Sequence, residues 1–81
     1  MRILESFVVD DIRVSIFSMN NKYIVKLEIG PYEQSYKIDT EDVEGLPAVK
    51  KMLDEDFISA SRELFLKMHQ NFQNAIEHPS E

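Results

Sequence analysis

Eighty-one residues, 43% of them hydrophobic, with two Gly and three Pro, suffice for one modest core burying roughly 60 to 65% of the unfolded chain's surface, and are too few for two. The absence of cysteine removes disulfides, thiolate catalysis and cysteine-ligated zinc, and a net charge of -6 at pH 7 weighs against a polyanionic partner. One domain over 1–78 is expected, with a flexible tail at 79–81. No stretch approaches the length of a membrane span. The opening Met-Arg-Ile-Leu-Glu alternates and carries an acid at position 5, unlike a signal peptide, so a cytoplasmic location is expected.

The first half reads as a four-stranded antiparallel meander, with strands over about 2–9, 12–19, 22–29 and 32–38. Asn20-Asn21 separates two runs of alternating apolar residues, and Asn tolerates the positive φ angles of a two-residue hairpin turn. If these two residues form the loop, Ile16 faces Val25, Val14 faces Leu27 and Ile12 faces Ile29 on one side of the sheet. Arg13 then meets Glu28, and Ser15 meets Lys26, on the other. A slip of one residue destroys every match. Asp10-Asp11 serves as the preceding loop, setting Val9 against Ile12 and Phe7 against Val14, and Gly30-Pro31 as the following one. Tyr23, Tyr32, Gln34, Tyr36 and Ile38 then join the inner face. Two features fit poorly: Glu5 lands inward at an edge, and Glu28 lies opposite Glu33.

Charge is unevenly placed along the chain. Residues 1–38 are balanced, whereas 39–56 hold seven acids against Lys50 and Lys51. Acids in a connection and at helix N-termini are favoured by solvent and by the helix dipole. Asp54-Glu55-Asp56 lacks the alternating ligand spacing and the turn glycine of a calcium loop. Thr40 is placed to cap a short helix or turn over about 41–53, which Gly45 interrupts and which Pro47 restarts as a first helical residue. Apolar residues then recur every three or four positions from Val49 to Ala75. One helix over 47–77 would be about 46 Å long against about 24 Å for a seven-residue strand. A break at Asp54, a good cap, is therefore favoured, followed by a long helix over about 55–77.

On that helix Ala60, Leu64, Phe57, Ala75, Met68, Phe72, Phe65, Ile58 and Ile76 cover an arc of about 160°, wider than the roughly 100° of an ordinary surface helix. Leu64, Met68 and Phe72 lie near its centre and are expected in the core. Ile58, Phe65 and Ile76 lie toward its flank and are expected, with Phe72, to meet a second element or a second copy of the chain. The outer sheet face adds Leu4, Phe17 and Ile24 as a further candidate interface among polar neighbours.

Catalytic motifs are lacking. His69 and His78 do not have the i, i+4 spacing of a zinc pair on a helix, and Ser59 and Ser61 precede no nucleophile elbow. No glycine-rich phosphate loop exists, and no metal or cofactor is expected. The sequence reading is thus a non-enzymatic α+β protein-interaction domain that self-associates, as a homodimer or with another protein. Two alternatives remain. A single-stranded nucleic acid can be met on an outer face built from Arg13, Phe17, Lys26 and Lys37, although one aromatic and an acidic chain disfavour it. A small ligand can be held between sheet and helix beside Tyr32 and Tyr36. Four strands followed by a helix resembles, in order alone, the repeat of the purine-rich-element binding proteins, a likeness of topology with no motif behind it.

Overall fold

The computed structural model of the chain describes residues 1–78; the tail expected at 79–81 lies outside them. Strands β1 (Arg2–Val9), β2 (Ile12–Met19), β3 (Lys22–Ile29) and β4 (Tyr32–Asp39) form one antiparallel sheet in sequence order. They are followed by a 3-10 turn at Thr40–Asp42 and by helices α1 (Leu46–Met52) and α2 (Glu55–Glu77).

Three two-residue turns set this sheet. Asn20 and Asn21 both take positive φ, 50° and 61°, the pair of left-handed residues that twists a hairpin in the sense its strands require. Asp10 and Gly30 open the other two turns at 57° and 54°. The register follows as expected: Ile16 faces Val25, Val14 faces Leu27, Phe7 faces Val14 and Leu27 faces Gln34. Glu28 does face Glu33, and Lys26 relieves the repulsion, its Nζ standing 3.7 Å from Glu33.

The sheet departs from simple alternation at one place. The β1–β2 register shifts between Ile3 and Glu5, leaving Leu4 as the extra residue of a bulge. Leu4 packs against the core instead of facing outward, and Ile3, opposite Phe17, takes the outer position. Glu5 lies inward opposite Ile16 and is answered by Lys50 of α1 at 3.4 Å.

Asp54 breaks the helical run as expected. Its carboxylate accepts the Phe57 N–H at 2.9 Å, satisfying one of the free donors at the start of α2, an interaction that contributes about 1 kcal/mol. Gly45, at φ 83°, occupies the N-cap of α1, with Pro47 in the first turn. Thr40 differs from expectation: it lies inside the 3-10 turn and Asp39 precedes it as the cap. The Thr40 N–H instead donates to the Asn21 carbonyl at 3.0 Å, extending the β3–β4 ladder past the strand end.

The core lies between the inner sheet face and the two helices. Ile12, Val14, Ile16, Val25 and Leu27 meet Val49 of α1 and Ile58 and Phe65 of α2. Each such side chain stabilises the fold by about 1.5 to 3 kcal/mol on burial. The helix is rotated relative to the expectation: Ile58 and Phe65 are in the core, whereas Leu64 is 45% exposed and Phe72 49%. Two polar contacts fix this rotation. The Gln34 side-chain amide donates to the Ser61 carbonyl at 3.0 Å, drawing the helix onto the sheet at a small, fully buried serine. On the other flank, Arg62 reaches Asp11 at 2.8 Å and Asp10 at 3.3 Å.

Candidate interaction surface

The sheet-facing stripe of α2 passes through Ile58, Ser61 and Phe65, which are buried, to the half-buried Met68, and then on to Phe72 and Ile76. These positions recur every three or four residues and share one helix face. An eight-residue strand spans about 26 Å and a 23-residue helix about 34 Å, so the last turns of α2 project beyond the sheet. Phe72 still touches β4, its ring edge-on to Tyr32 at 6.1 Å. Ile76, one turn later, is 57% exposed. Between Met68 and Ile76 there is no Asp, Glu, Lys or Arg, in a chain 30% charged.

Seven residues were candidates for an interface, and the structure places them in three groups. Phe72 and Ile76 are exposed together on the projecting end. Ile58 and Phe65 belong to the core, as does the bulged Leu4 at its margin. Ile24, on the outer sheet face, is buried at 7% exposure, and Phe17 beside it is half-buried. Facing neighbours explain this pair: Ile24 stands opposite Phe17 and Lys37, and the Lys26 ammonium lies over the Phe17 ring, 5.6 Å from its centre.

The candidate nucleic-acid face is built on β2, β3 and β4. Arg13, Lys26 and Lys37 do share the outer side, but Lys26 is engaged with Glu33, and neighbouring Lys22 is bonded to Asp39. Arg13 stands opposite Glu28. The positive charges are thus interleaved with carboxylates, which flattens the field a phosphate backbone would meet.

Among the described residues, the clefts between sheet and helix are open to solvent. Tyr32 donates to or accepts from His69 Nδ1 at 2.8 Å, and the two rings close a shallow apolar cleft of about 210 Å³ beside Phe65 and Leu66. A longer groove of about 530 Å³ follows the exposed edge of β4, where Gln34 and Tyr36 meet Leu64, Met68 and Asn71 of α2. The Tyr36 hydroxyl donates to the Gln34 side-chain oxygen at 3.4 Å.

Arg62 and Asp11 set the electrostatics of the opposite flank. The hydrogen bond from the guanidinium, with a backbone hydrogen bond and the Coulombic attraction adding to it, holds the Asp11 carboxyl below the usual aspartate value, and the same bond raises the Arg62 value. Among the described residues no cluster of three or more His, Asp or Glu is arranged to hold a metal ion, and no helix is long and apolar enough to cross a membrane.

Sequence reasoning missed Gln34 and Arg62 as the residues that orient α2. Gln34, a polar residue at an inward strand position, was a visible departure from pattern; Arg62 lies just beyond the edge of the apolar arc, where nothing in the sequence distinguishes it from a solvated base. No protein-family model, curated protein or solved structure matches the chain.

Proposed function

We propose that this is a non-enzymatic, cytoplasmic protein-interaction domain that forms a homodimer, and that the projecting end of α2 lies in the contact. One observation carries the reading: the stripe that packs α2 on its own sheet continues past the sheet with Phe72 and Ile76 uncovered. An apolar stripe of this kind is stable when a second surface removes it from water. The partner is a second copy because the segment Met68–Ile76 is without formal charge. Two copies each carrying -6 repel one another elsewhere, and this segment is where that repulsion is least. Its Gln70, Asn71, Gln73 and Asn74 supply donors and acceptors that polar groups on the second copy can match without bringing further charge into the contact.

Sedimentation velocity over a dilution series tests this. The wild type is expected to move from a species of twice 9.5 kDa toward the single-chain mass on dilution. Ile76→Ser should weaken the dimer about tenfold, in keeping with the loss of a few buried methyl and methylene groups, and leave in place the melting temperature measured at dilution where both proteins are single chains. A wild type that sediments as a single chain at every concentration contradicts the proposal.

A further inference from the structure

The two edges of the sheet are built differently. At β1 the bulge at Leu4 and the inward Glu5, tied to Lys50, are devices that stop another strand from adding. β4 has neither: its eight residues pair with β3 in unbroken register from Tyr32 to Asp39, and its interior contains no proline. The backbone of β4 also has a defined polarity. Ile29 and Tyr32 flank a two-residue turn and therefore exchange hydrogen bonds, and the Thr40 N–H bonded to the Asn21 carbonyl continues the same phase. Tyr32, Gln34, Tyr36 and Ile38 thus direct their backbone groups to β3, while Glu33, Ser35 and Lys37 direct theirs outward.

We infer that the β4 edge pairs with the β4 edge of a second copy, antiparallel about a two-fold axis at Ser35, to make one continuous eight-stranded sheet. This deepens the homodimer proposed above and rests on it. The phase of the edge allows only registers that set Glu33, Ser35 and Lys37 opposite one another or opposite residues two further along. Among these, the register with Ser35 opposite itself places Glu33 of each copy opposite Lys37 of the other, twice over. Shifting one way brings Glu33 against Asp39 and Ser35 against Lys37. Shifting the other way brings Lys37 against Pro31, and larger shifts set like charges face to face. Opposite charges directly across strands stabilise and like charges destabilise. The chosen register forms about six new backbone hydrogen bonds.

The same operation accounts for the apolar residues left exposed along this edge. Leu64 lies beside Gln34 and Tyr36 in the groove next to β4, on the side that faces the axis. Tyr32 of each copy comes beside Ile38 of the other. Because Phe72 rests on Tyr32, the projecting end of α2 is carried toward the second copy's α1, where Met52 is 48% exposed at the mouth of a small apolar cleft with Ile38 and Phe57.

Charge reversal and cross-linking test the register. Lys37→Glu should weaken the dimer about tenfold or more, since both cross-strand pairs turn repulsive, and adding Glu33→Lys should restore it to near the wild-type value. Because the chain has no cysteine, Ser35→Cys gives a single thiol; the two on the axis lie about 5.5 Å apart at Cα, within disulfide reach. Oxidation should link Ser35→Cys and leave a Ser6→Cys control on β1 unlinked. The cross-link decides the register should a charge variant fail to fold. A wild type that dimerises and loses its dimer in Ile76→Ser, yet ignores Lys37→Glu and does not cross-link through Ser35→Cys, overturns the edge pairing while the homodimer stands. A wild type that remains a single chain overturns both.

Discussion

Arg62 shows how one side chain orients a helix. Its guanidinium is bonded to both acids of the β1–β2 turn, residues that the sequence offers only as a loop. The pair gives a definite pH dependence. The Asp11 value is lowered on folding, so the unfolded chain binds the extra proton as pH falls, and stability falls with it. The contribution is fully present above the ordinary value of 3.8 and is lost as pH drops through the lowered one. Both groups face solvent, so screening keeps it small. Urea midpoints of Arg62→Ala and wild type should therefore differ more at neutral pH than in acid, the gap closing as Asp11 protonates. A gap that is constant with pH would assign Arg62 to packing of its stem alone.

At the scale of elements, the strands were legible because their turns are. Two-residue loops at Asp10-Asp11, Asn20-Asn21 and Gly30-Pro31 leave one register in which both faces are satisfied, and the structure has that register. The break at Asp54 was legible for the same kind of reason, since a capping aspartate precedes an acidic first turn. The rotation of α2 was not. The width of the apolar arc implied two contacts, but periodicity does not say which part of it the sheet takes: the centre through Leu64 and Phe72 was expected there, whereas the sheet covers the stripe through Ile58, Ser61 and Phe65. The bulge at Leu4 was also hidden, because an inserted residue leaves the local alternation of β1 intact on either side. The two faces of α2 should answer differently to truncation. Phe65→Ala removes a ring that is 4% exposed and should cost about 3 to 5 kcal/mol of stability. Phe72→Ala, at 49% exposed, should cost far less and should weaken the dimer instead. Chemical denaturation of both variants checks this, and equal losses would place Phe72 in the core.

For the whole molecule, the uneven charge of the chain becomes a spatial arrangement. The acids of residues 39–56 surround the 3-10 turn and α1, the outer sheet face carries interleaved pairs, and the uncharged stretch of α2 projects past the sheet. The exposure of the candidate residues was legible only in part. Ile76 was placed at the flank of an arc too wide for one contact and is exposed, whereas Phe72 was assigned both to that second contact and to the core and is 49% exposed. Leu4, Ile24, Ile58 and Phe65 were included because exposure cannot be read from pattern once a bulge or a helix rotation intervenes. The β4 edge left no mark in composition, since what distinguishes it is the absence of a bulge.

Self-association through α2 and the β4 edge is tested most directly by following backbone amide resonances of the full chain on dilution. The amides expected to shift as copies separate are those of Glu33, Ser35 and Lys37 and of Leu64 through Glu77, with β1 and the outward residues of β2 unmoved. A spectrum unchanged from the highest to the lowest concentration, or shifts confined to Arg13, Phe17 and their neighbours on the outer face, would contradict it.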